Sequence, residues 1–217
     1  MVDYDMTAKT KPCIISCSVL KDEIQQLVKQ GDLDVDLVFV SKYFHVDYIL
    51  IEENLRKIIQ QNLPRSPQGI ILVYGDLCLG PNNEMKKLAE EYGIVKVDAL
   101  NCVDCLLGGK GKSLQADPKH ELMLMNPGMT GFFENIKEKA RQEGVDEEAL
   151  KGLFSGLKGI VLLDTLGEPD KDREELEKLS TGLTILETKA VGLDTLKHVI
   201  VEAMERNRKK IGKNIQA

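Results

Sequence analysis

Gly69-Ile70-Ile71-Leu72-Val73-Tyr74 is the stretch whose reading decides the fold. It is apolar from end to end and rich in β-branched side chains. A strand with one solvated face alternates polar and apolar residues; a strand covered on both faces does not need to. The run therefore predicts a central strand of a parallel sheet, with helices above and below.

Toward the N-terminus, Tyr48–Gln61 places Ile51, Leu55, Ile58 and Ile59 at helical spacing. Asp36–Val40 reads as a strand, Leu20–Gln30 as a helix stopped by Gly31, and Pro12–Cys17 as the first strand. Toward the C-terminus, Pro81–Tyr92 predicts a helix opened by a first-turn proline and closed by Gly93. Strands follow at Ile94–Val97 and Glu121–Met125, then helices at Thr130–Glu143 and Asp146–Phe154. Gly159–Leu163 is a strand, Arg173–Leu179 a helix, Leu183–Glu187 a strand and Leu193–Lys209 a terminal helix. Such alternation implies right-handed crossovers and an α/β fold. The expected architecture is a mostly parallel sheet covered by helices, a Rossmann-like three-layer sandwich in a single domain, 1–217. Gly108–His120, rich in Gly, Lys and Ser, is read as the longest weakly patterned loop.

A chain of 217 residues can bury a core without disulfide or metal staples. Its net charge of -6 argues against a nucleic-acid-binding surface. The basic residues Arg206, Arg208, Lys209, Lys210 and Lys213 read as a solvated helix end. No apolar run approaches the ~20 residues of a membrane span, and Met1–Lys11 lacks the apolar core of a signal peptide. A cytoplasmic location follows as the default. There, five cysteines, an odd number, are expected to be reduced, ligating or catalytic rather than paired.

Their placement is informative. Cys17 closes the first strand, Cys78 follows the third, and Cys102 and Cys105 follow the fourth. In a parallel sheet all these strand ends lie at the carboxyl edge, where open α/β sheets bind ligands. Thiolates select zinc, copper(I) or iron–sulfur clusters, and Cys102-Val103-Asp104-Cys105 has a spacing that suits either one ion or a redox dithiol. His45, just past the second strand, reaches the same rim. Cys17, His45, Cys78, Cys102 and Cys105 are thus the candidate metal ligands. Free cysteine is also a common core residue, and Cys13, inside the first strand, is read that way. His120 and His198 are assigned to surface or packing.

Gly108-Gly109-Lys110-Gly111-Lys112-Ser113 is suggestive of a phosphate loop, but Leu106 stands where the first glycine of that motif belongs. A surface loop is the preferred reading, contact with an anionic group the other. Asn126-Pro127-Gly128 is explained by turn chemistry, yet its position after the fifth strand makes it a candidate wall of the site.

At these residues the chain resembles the domain of unknown function 1638 family, over about Pro12 to Leu193. That family opens with a strand-end cysteine and a helix bearing an acid, matched by Cys17, Val19-Leu20 and Glu23. A histidine after its second strand is matched by His45. Its Tyr-Gly and nearby cysteine are matched by Tyr74, Gly75 and Cys78, with one residue more in between. Its His-Asp-Cys before Leu-Leu-Gly corresponds to Leu100-Asn101-Cys102 before Leu106-Leu107-Gly108; the histidine and acid are missing and Cys105 is added. A Pro-Gly followed by an aromatic is matched by Pro127-Gly128, with Met129 in the aromatic's place.

Members of that family occur in methanogenic archaea and anaerobic bacteria, often beside corrinoid-dependent methyltransferases. The resemblance implies a role near one-carbon or corrinoid metabolism, with a methyltransferase or corrinoid protein as partner and a corrinoid as a further cofactor candidate. No Asp-x-His-x-x-Gly corrinoid motif is present. Tyr74, Gly75, Gly108, Asn126 and Gly128 are the candidate cofactor-binding positions. Two functions are expected in competition: a zinc or iron–sulfur protein accessory to methyl transfer, or a small-molecule transferase with a reactive Cys102 or Cys17 thiolate and no metal. The sequence leaves homo-oligomerisation open.

Overall fold

A computed structural model describes residues 11–152, 154–179 and 182–215; the rest of the polar N-terminus lies outside them. Strand β1 (Cys13–Cys17) leads through a 3-10 turn (Ser18–Leu20) into α1 (Lys21–Lys29). β2 (Asp36–Val40) and a 3-10 turn (Lys42–Val46) precede α2 (Tyr48–Asn62). β3 (Ile70–Val73), a 3-10 turn (Asp76–Leu79), α3 (Glu84–Glu91) and β4 (Val95–Lys96) follow. Two short helices, α4 (Cys102–Leu107) and α5 (Lys112–Ala116), lead to β5 (Leu122–Met125). The chain ends with α6 (Thr130–Gln142), α7 (Glu147–Gly152), β6 (Gly159–Asp164), α8 (Pro169–Leu179), β7 (Ile185–Ala190) and α9 (Asp194–Ile215).

All strand pairs are parallel, and strands alternate with helices, a Rossmann-like α/β arrangement. The strands divide into two sheets rather than one, β2-β1-β3-β4 and β5-β6-β7. The break has a local cause. β4 is two residues long and makes a ladder only to β3, and the chain leaves it into α4, so it offers no length of edge to a further strand. The second sheet starts afresh, yet Leu122, Leu124, Val161 and Leu163 pack against the same core as the first.

β1 and β3 are buried along their whole length, as their apolar sequences require. They are also the central pair, with Cys13 opposite Ile70 and Ser16 opposite Val73. From β1 the chain crosses to β2 on one side, then to β3 on the other. The crevice at such a reversal opens beyond the carboxyl ends of the two central strands, which here are Cys17 and Tyr74.

Several elements differ from the sequence reading; α8 starts earlier, at Pro169, and α9 runs on to Ile215. α3 starts at Glu84 rather than at Pro81 because Asn83 is left-handed (φ 64°) and interrupts helical geometry just before it. β7 runs to Ala190 because it is the edge of its sheet, where Thr188 and Lys189 can pair without being buried. Gly108–His120 is not structureless; α5 lies within it. No helix among the described residues is long and apolar enough to cross a membrane.

Candidate functional site at the sheet rim

Cys17 ends β1 with its side chain buried, and the first amide of the following turn, Val19 N–H, donates to its Sγ at 3.4 Å. The Lys42 amide donates to Ser18 Oγ at 2.8 Å, tying the turn after β1 to the turn after β2. That second turn carries His45, whose Nδ1 stands 3.7 Å from Cys17 Sγ. Its ring meets Tyr74 edge-on, with centroids 6.1 Å apart.

Cys78 lies in the turn after β3, and Cys102 is the first residue of α4. Gly75 brings these two segments together. A Cβ at Gly75 would come within 2.3 Å of the Leu100 carbonyl and the Asn101 nitrogen. Without one, Asp76 N–H reaches Ala99 O at 2.8 Å and Leu77 N–H reaches Leu100 O at 2.9 Å. Asn101 then caps α4 by accepting from Asp104 N–H at 2.9 Å.

Burial pushes the Cys17 thiol up to about 12 and the Cys78 thiol up to about 11. Cys102 is raised well above the ordinary range, first by burial and then by repulsion from Cys78 and Cys17. Cys78 and Cys102 line one cleft with His45, which in turn stands beside Cys17. Burial also lowers His45, so its imidazole is neutral near pH 7. His45 Nε2 is buried here with no hydrogen-bond partner, and Tyr74 Oη lies buried beside the Cys17 thiol. Tyr74 is itself raised by burial and then by Cys17 and Cys78. Unsatisfied buried groups are rare and each calls for an explanation.

Beside the cluster opens a cleft of about 360 Å³ lined by His45, Cys78 and Cys102 together with Met123, Met125 and Phe154. Methionines of the second sheet's strand thus share a cleft with thiols that follow strands of the first. The seam between the sheets explains two more predicted residues. Asn126 is fully buried, and its Nδ2 donates to Val19 O at 3.1 Å and to Glu23 Oε1 at 2.8 Å. A Cβ on Gly128 would fall 1.9 Å from Val19 O, and Lys42 Nζ donates to Gly128 O at 2.8 Å. These residues join the two sheet edges and so form the cleft without lining it.

The remaining predicted residues stand apart from the cleft. Cys105 is completely buried in the core, as is Cys13. Gly108 ends α4 in a left-handed conformation (φ 102°), near Thr195 of α9. The amides of the Gly-Lys-Ser stretch are already occupied. Gly111 N–H and Ser113 N–H donate to the buried Asp104 carboxylate at 2.8 and 2.7 Å, and Ser113 Oγ adds a bond at 2.7 Å. The loop thus wraps an anion supplied by the chain itself, and a phosphate would have to compete with it.

Sequence reasoning missed Thr165 and the cleft residues Met123 and Met125, and it reached Glu23 and Met129 only through the family resemblance. Thr165 Oγ donates to Glu23 Oε1 at 2.9 Å, from beyond the end of β6. The available signal was weak: Met123 and Met125 are simply alternate residues of the strand read at Glu121–Met125.

As the side chains stand, no three His, Cys, Asp or Glu residues among the described residues are arranged to hold a metal ion. In kind, however, the donors fit a soft ion, with three thiols and one neutral imidazole, whose Nε2 has no other partner. One edge also has ligand spacing. Zinc–sulfur and zinc–nitrogen bonds of about 2.3 and 2.0 Å at a tetrahedral angle separate the two donors by about 3.5 Å, close to the 3.7 Å between Cys17 and His45.

Fold and rim together define a class: a parallel α/β protein with a buried thiol–imidazole cluster at the carboxyl edge of its central strands. Residues 19–200 match the family described as "Protein of unknown function (DUF1638)", and the chain belongs to that family. No curated protein and no solved structure matches it significantly.

Proposed function

We propose that the protein binds a zinc ion through Cys17, Cys78, Cys102 and His45. The observation that carries this reading is the 3.7 Å pair of Cys17 Sγ and His45 Nδ1, with Cys78 and Cys102 lining the same cleft as His45. Zinc is preferred over an iron–sulfur cluster because the set mixes imidazole with thiols. A cluster would ordinarily take four cysteines, and the fourth here, Cys105, is enclosed in the core.

The raised thiols argue in the same direction. A neutral buried thiol is a poor nucleophile, which weighs against the alternative of an unmetallated thiolate transferase. A divalent cation reverses the balance, because ligation deprotonates thiols and releases their protons. Lys42 and Lys96 lower Cys17 and Cys78 in the same sense, so part of the positive potential is built in. His45, kept neutral, is ready to donate a lone pair. Four protein ligands close a tetrahedral site, so zinc bound there would supply Lewis acidity only where one of them yields its place to a molecule from the cleft.

The family resemblance extends the proposal to service beside corrinoid-dependent methyl transfer, with a methyltransferase or a corrinoid protein as partner. The test of the core claim is anaerobic titration with cobalt(II) as a spectroscopic stand-in, followed by displacement with zinc. One equivalent with sulfur-to-metal charge-transfer absorption, lost in Cys17→Ser and Cys102→Ser, is expected. A folded protein that takes up neither metal defeats it, and a coloured cluster in the protein as isolated replaces zinc by iron–sulfur.

A further inference from the structure

The cleft also carries information about what it admits. Among the described residues, no Asp, Glu, Lys or Arg side chain lines it. A charge taken inside would lose its water and find no counter-charge. Met123, Met125, Met129 and Phe154 give one wall soft, apolar and adaptable. The lining also includes His45, Cys78 and Cys102. The mouth is marked by Tyr48 and Leu77, 57% and 45% exposed. A volume of about 360 Å³ falls within the range of small-molecule sites. At about 30 Å³ per small group it holds on the order of ten non-hydrogen atoms.

We propose that this cleft takes up an uncharged small molecule with an apolar body and one hydrogen-bonding end, seated with that end toward His45, Cys78 and Cys102. The proposal names the substrate class of the site described above and rests on the zinc reading for its chemistry, though not for binding itself. The thioether wall holds the body, and the edge formed by His45, Cys78 and Cys102 receives the polar end. Specificity comes from the apolar lining and from exclusion of charge.

The test uses three probes with the same six-carbon body, 1-hexanol, hexanoate and hexylammonium, titrated calorimetrically into zinc-loaded and zinc-free full-length protein under anaerobic conditions. Hexanol should bind saturably at one site, at least tenfold more tightly than either ion. Leu77→Trp, at the exposed mouth, should weaken it at least tenfold while leaving zinc uptake intact. Independently of any substitution, labelled methionine methyl resonances should shift for Met123, Met125 and Met129 and not for Met85 or Met204, which lie in the other core. Equal affinity for a charged probe, no saturable hexanol binding, or shifts confined to other methionines overturns the proposal. Zinc uptake without hexanol binding sinks this inference alone; hexanol binding by a protein that refuses zinc supports it and sinks the metal reading.

Discussion

Asp104 and Glu23 are both buried carboxyls, and their surroundings drive them in opposite directions. Around Asp104 burial pulls upward, but the amides of Leu100, Gly111 and Ser113 and the Ser113 hydroxyl outweigh it and hold the carboxylate below its usual range. Asp104→Ala should therefore cost about 3 kcal/mol, since it strands several amides at once; chemical denaturation measures it. Glu23 is raised by burial, against the bonds from Asn126 and Thr165. Unfolded, it titrates near 4.5; folded, it keeps its proton to higher pH. Between those values the folded state holds more protons, so stability falls as pH rises through the window. Glu23→Gln should remove that slope, and a comparison of unfolding midpoints just below and well above pH 4.5 in both proteins would reveal it. Equal slopes would count against the assignment.

At the scale of elements, close backbone approaches set the site. Gly75→Ala and Gly128→Ala must each push two segments apart, at a cost of about 2–3 kcal/mol. Gly75→Ala separates the Cys78 turn from the start of α4, so it should also weaken zinc binding at least tenfold; Gly31→Ala, with nothing within 4 Å of its Cβ, is the control for general strain. Competition with a chromophoric chelator reads both. What was legible in the sequence follows the same physics. Buried strands such as Ile70–Val73 announce themselves through continuous apolar character, and cysteines at strand ends follow once the strands are placed. α4 escaped because it has six residues, too few to show a period, although Val103, Cys105 and Leu106 are buried in the core. Asn126 and Gly128 looked like turn residues because their true partners, Val19 and Glu23, lie more than a hundred positions away.

For the molecule as a whole, the decisive feature is that carboxyl edges of two parallel sheets meet. The first supplies thiols and imidazole, the second a methionine wall and the buried fasteners Asn126 and Thr165. A ligand bound at that seam by the folded state alone must stabilise the whole fold. At free zinc a hundred times the dissociation constant the gain is about 2.7 kcal/mol, which for a domain of this size means a rise in melting temperature of roughly 5–10 °C. Chelation should reverse it, and an unchanged melting temperature would show that the seam binds nothing.

X-ray absorption at the zinc edge of anaerobically loaded protein reaches the proposed ligands most directly. Convergence of Cys17, Cys78, Cys102 and His45 on one ion predicts a shell dominated by sulfur at about 2.3 Å with one nitrogen near 2.0 Å. A shell of oxygen and nitrogen alone, or no stoichiometric zinc to measure, would contradict it.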